Sequence, residues 1–144
     1  MNSLEINSLL KNKKNFIGVF ALDKLPNTKI NLPASLIINN DVSSENGEHW
    51  LSLVLTKKQA FYFDSFGLSI VDKQILDFLS VQKFKKIIYS TKCIQSINSN
   101  KCGHFCILFV KIVKNTKKYV NFLDLFFEKP LFINDCLVIE YLKL

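Results

Sequence analysis

Residues 102–113 read Cys102-Gly103-His104-Phe105-Cys106-Ile107-Leu108-Phe109-Val110-Lys111-Ile112-Val113. The stretch is apolar almost all the way round a helical wheel, which predicts a helix buried on most of its sides. A helix of that kind needs apolar partners, and the chain before it supplies strands. Trp50–Leu55 and Ala60–Asp64 read as short strands joined into a hairpin by the polar tetrad Thr56-Lys57-Lys58-Gln59. Asn15–Phe20, Ser35–Ile38 and Lys86–Ser90 are further strand candidates. Ser65-Phe66-Gly67 turns the chain, Pro26 and Pro33 bracket a loop, and 39–48 is a polar, turn-rich loop containing Gly47. Ser3 with Leu4, Ile6, Leu9 and Leu10 gives a short capped helix, and helical spacing marks 70–79. Two more helices are predicted over 119–127 and 135–142, with Pro130 between them and Asn134 as the N-cap of the second. The expected fold class is α+β: a small central mixed or antiparallel sheet packed with helices, as one domain spanning 1–144.

Composition agrees with a packed domain. The 144 residues are 49% hydrophobic with 13 Phe, which excludes a disordered polar chain, and only 4 Gly and 3 Pro exclude collagen-like or linker sequence. No apolar window approaches the ~18 residues that a membrane span requires. Met1–Glu5 shows no basic region followed by an apolar one, so no secretory signal is read and a reducing, intracellular setting is expected for the four cysteines. The net charge is +7 and every basic residue is Lys. Such a surface attracts polyanions, with DNA the commonest, and Lys without Arg makes that binding blind to base sequence. A basic surface with no dedicated partner fits the same numbers.

Cys102 stands at the predicted start of the buried helix. Free amides and the positive dipole end favour a thiolate there, although a structural cysteine fits the same place. Gly103 removes a side chain where a substrate backbone would approach. Cys102 and Cys106 could also form half of a zinc site, but the remaining His and Cys lack a metal spacing. Of the two histidines, His104 lies two positions from Cys102 and reads as a surface or capping residue. His49 precedes the first hairpin strand and Asp64 ends the second, fifteen residues later, so antiparallel pairing makes them neighbours at one sheet end. A thiol, a base and a carboxylate that orients the base are what nucleophilic catalysis requires. Gln95, in the loop before Cys102, could join the Cys102 amide as an oxyanion donor, or be a surface residue.

In order, Phe16–Phe20, Leu36–Asn40, Glu48-His49-Trp50, Tyr62-Phe63-Asp64-Ser65-Phe66-Gly67, Ile94-Gln95-Ser96 and Cys102-Gly103-His104-Phe105-Cys106 stand as a set. Together, over about 14–115, they resemble the adenain family of adenovirus maturation proteases, with relatives in virophages and Polinton-type elements. The wider clan includes proteases of ubiquitin-like proteins. The resemblance implies a papain-like fold and a cysteine endopeptidase that processes capsid or other virion precursors at Gly-containing sites. It implies His49 as base, Asp64 as its orienting acid, Gln95 as oxyanion donor, Cys102 as nucleophile, and Trp50 lining a groove for substrate Gly. It also implies a virion and infected-cell location, a monomer, no metal or required cofactor, and non-specific DNA as a candidate activator. The acid is Asp where adenain has Glu, the chain after the cysteine helix is shorter, and Cys93 does not match the cysteine that joins adenain's activating peptide. Removal of a ubiquitin-like protein after Gly-Gly, and DNA binding on an inactive protease fold, are the alternatives.

Overall fold

A computed structural model describes residues 1–44 and 49–144, so Gly47 and Glu48 lie outside the described residues. Five strands form one open mixed sheet in the order β1-β2-β3-β4-β5: β1 (Phe16–Ala21), β2 (Ala34–Asn39), β3 (Trp50–Leu55), β4 (Ala60–Phe63) and β5 (Ile87–Ile88). The central pairs β2–β3 and β3–β4 are antiparallel, and the outer pairs β1–β2 and β4–β5 are parallel. The helices are α1 (Ser3–Leu10), α2 (Lys73–Val81), α3 (Cys102–Ile112), α4 (Thr116–Asp124) and α5 (Leu131–Leu142). The α+β expectation holds.

Both faces of the sheet are covered, which explains why β2 to β4 are apolar at nearly every position. Strand alternation divides the side chains. Phe61 and Phe63 of β4 face α3, whereas Ala60 and Tyr62 face the side covered by α2. On the α3 side the phenylalanines form a connected cluster. Phe63 stacks on Phe109 at 4.9 Å between centroids and meets Phe122 edge-on at 5.1 Å, and Phe105 meets Phe126 edge-on. Such pairs contribute ~0.5–1.5 kcal/mol each beyond area burial. α3 is enclosed by the sheet, α1, α4 and α5, as its apolar circumference predicts.

Element ends differ from the sequence reading where a side chain found a partner that the local sequence does not reveal. The cap of α1 is Asn2, not Ser3: Glu5 N–H donates to Asn2 Oδ1 at 3.0 Å, and Asn2 N–H to Glu5 Oε2 at 2.7 Å. α4 starts at Thr116 under an Asn115 cap. α5 starts at Leu131, directly after Pro130, so Asn134 is not an N-cap. Asn134 is fully buried inside α5. Its amide donates to the carbonyls of Ile94 at 2.9 Å and Phe127 at 2.7 Å, and its Oδ1 accepts from Phe127 N–H at 2.8 Å. Gln82, at the end of α2, likewise bridges Thr28 O and Ile30 N–H, pinning the Pro26–Pro33 loop.

Candidate active site

β3 and α3 start at the same end of the molecule, and the site lies between their starts. His49 immediately precedes β3. Its backbone N–H donates to Asn40 Oδ1 at 3.0 Å, while Asn40 N–H donates to His49 O at 3.0 Å, extending the β2–β3 pairing by one step. Asp64 immediately follows β4. Because Ser52 pairs with Phe63, His49 and Asp64 are diagonal rather than directly opposed, and the imidazole spans that offset. His49 Nε2 lies 2.8 Å from Asp64 Oδ1, with both groups largely buried.

Nδ1 is the ring nitrogen left for the thiol, and His49 and Cys102 line the same cleft, near enough for each to shift the other's titration. Burial opposes the imidazolium. The hydrogen bonds and charges of Asp64 and Cys102 outweigh it and raise the His49 pKa to about 9. Burial likewise opposes the Cys102 thiolate, but His49 and the backbone amides of Trp50 and Gly103 outweigh it and hold the thiol below its ordinary value. Both shifts favour a thiolate–imidazolium pair. No side chain caps α3, so its positive end faces the sulfur.

Gln95 is buried in the loop before α3 and, with Cys102, His49 and Trp50, lines a cleft of about 450 Å³. Its Oε1 accepts from Ser65 Oγ at 2.5 Å and its Nε2 donates to Ser99 O at 2.8 Å. One of its two amide hydrogens is thus held internally, and the amide plane is locked. The turn 64–67 ties the parts together. Ser65 O accepts from Ile94 N–H and Gln95 N–H, Phe66 N–H donates to Asp64 Oδ1 at 2.8 Å, and the Phe66 ring stacks on His49 at 4.9 Å. Gly67, at φ +72°, passes the backbone of Thr91 and Lys92 so closely that a Cβ would lie 2.5 Å from Thr91 O.

Trp50 lines the cleft, and its Nε1 donates to Met1 O at 3.1 Å. Gly103 stands behind it instead of facing the open cleft: a Cβ there would lie 3.2 Å from Trp50 Cδ1 and 3.4 Å from Met1 Sδ. His104 is not a surface or capping residue. It is half-buried, the helix has no side-chain cap, and its buried Nδ1 finds no partner. Asn40, Ser65 and Phe66 were not singled out as site residues by the sequence reading. Their signal is their place in the stretches that carry the family resemblance, beside β2 and Asp64. Among the described residues no group of three or more His, Cys, Asp or Glu side chains converges as a metal site.

A sulfur at a helix start, a paired imidazole, a carboxylate behind that imidazole and an amide across the cleft form the kind of site used in cysteine-nucleophile chemistry. Residues 16–129 match the model of the adenovirus endoprotease family. The protease of bovine adenovirus 2 is 30% identical over 115 residues, covering 71% of this chain and 52% of that protein. The chain belongs to the adenovirus endoprotease family, and it spans about half the length of that relative.

Proposed function

We propose that the chain is a cysteine endopeptidase that processes virion precursor proteins, its described residues forming a single protease domain that acts without metal. The observation that carries this reading is the pairing of His49 with Asp64 in the cleft that also holds Cys102 at the start of α3. In the proposed cycle Cys102 Sγ, as thiolate, attacks the scissile carbonyl, and the carbonyl π pair moves to oxygen. The amide of Gln95 and the Cys102 N–H stabilise that oxyanion. Imidazolium His49 gives its proton to the departing amine, leaving a thioester. Neutral His49 then takes a proton from water, hydroxide adds to the thioester, and collapse releases the acid and returns the thiolate. Trp50 narrows the cleft, which favours substrates with Gly beside the scissile bond.

The substrates are capsid or other virion precursors, and the setting is the virion and the infected cell. No helix among the described residues is long and apolar enough to cross a membrane. The enzyme works as a monomer, with non-specific DNA as an activator drawn by the +7 charge. The test is co-expression with candidate capsid precursors and mass spectrometry of new termini. Wild type produces cleavage next to Gly, and Cys102→Ala produces none. Processing by Cys102→Ala at the wild-type rate overturns the assignment of the nucleophile.

A further inference from the structure

At the opposite end of β3 and α3 from the catalytic cysteine lies a second cleft, of about 460 Å³. β3 spans ~17 Å over its residues and α3 ~16 Å, so the two clefts are separated by the length of the core. The rim of the second carries Lys13 and Lys14 from the α1–β1 connection, Lys57 from the β3–β4 hairpin and Lys114 after α3. Its lining contains no carboxylate, and none of these lysines forms an ion pair among the described residues. The floor is apolar: Pro33 is exposed in it, and Val54, Val110 and Val113 close it from below, each almost fully buried.

We propose that this cleft is a docking site for an acidic peptide segment anchored by one aliphatic side chain. Carboxylates complement the lysine rim, and the aliphatic group covers the valine floor. The apolar floor favours a peptide over nucleic acid as occupant, since lysines alone could meet a phosphate backbone but that backbone has nothing to bury against valine. Because the floor includes the last turn of α3 and the first turn carries Cys102, the site lies outside the catalytic cleft but on the same rigid element. The proposal does not depend on the chemistry at Cys102.

The test uses the full chain and a fluorescein-labelled peptide of sequence Glu-Asp-Leu-Glu-Asp, read by polarisation at fixed ionic strength. Lys57→Glu/Lys114→Glu is expected to weaken binding by about tenfold or more, from two lost and reversed charge contacts. Lys85→Glu/Lys86→Glu, an equal charge change on exposed residues elsewhere, is expected to change it less than about twofold. Replacing the central Leu of the probe by Ser is expected to cost about tenfold, the scale of one buried aliphatic group. Equal loss in both lysine pairs, indifference to Leu→Ser, or no peptide binding overturns the proposal. A duplex DNA probe that binds through Lys57 and Lys114 while the peptide does not would make this a nucleic-acid face and also overturn it.

Discussion

At His49, burial works against the imidazolium while Asp64 and Cys102 work for it, and the balance sets the pH range of the site. In the proposed cycle the reactive state holds a proton on His49 and none on Cys102. Above about pH 9 the imidazolium loses its proton and with it the acid for the leaving amine. At low pH the thiolate is protonated. The profile of kcat/KM should therefore be a bell whose alkaline limb falls near pH 9, the two limbs belonging to the coupled pair. Asp64→Asn keeps the shape but removes the charge that raises the His49 pKa, so its alkaline limb should move to lower pH. An alkaline limb unmoved in Asp64→Asn would show that the carboxylate does not support the imidazolium. His49 and Cys102 could be singled out from spacing and helix position alone. The contribution of Ser65 could not, because its hydroxyl works on a side chain thirty residues away.

The element that organises the site is the 64–67 turn. It carries the carboxylate, stacks an aromatic ring on the imidazole, and bonds the loop that holds Gln95. That loop is fixed at three further points. Lys92 Nζ donates to the carbonyls of Leu123, in the last turn of α4, and Phe126, just after it, Asn134 of α5 holds Ile94 O, and Gly67 packs against Thr91. Gly67→Ala combines a left-handed φ with backbone overlap that no rotamer relieves, and should destabilise the protein by at least about 2 kcal/mol. Chemical denaturation measures it. A loss below about 0.5 kcal/mol would mean that the turn and the Gln95 loop are not packed together as described. The motif Phe63-Asp64-Ser65-Phe66-Gly67 was legible as a turn in the sequence. Its role as the bracket for Gln95 was not, since the loop it grips comes 24 residues and more later and is apposed only when α2 and β5 are in place.

For the molecule as a whole, the +7 charge and the absence of Arg predict a particular kind of DNA contact. Lys–phosphate contacts release counterions, so log affinity for duplex DNA should fall linearly with log salt, at about 0.9 per phosphate neutralised, and show no base preference. Titration of two unrelated duplexes at several salt concentrations checks this; a salt-independent or base-selective affinity would contradict it. The order of strands and helices, the buried character of α3 and the pairing of β3 with β4 were available in the sequence because they arise from local periodicity and short-range turns. The nearness of His49 and Asp64 followed from them, since a hairpin brings its own ends together, whereas Cys102 reaches that sheet end through the packing of α3 on β3. Only the tertiary structure decided the rest. It turned Asn134 from a cap into a clamp on Ile94, put Gly103 behind Trp50, half-buried His104, and gathered four lysines around a valine floor. Each of these depends on which elements pack side by side, and packing is selected by the fit of whole surfaces, which no local pattern of residues encodes.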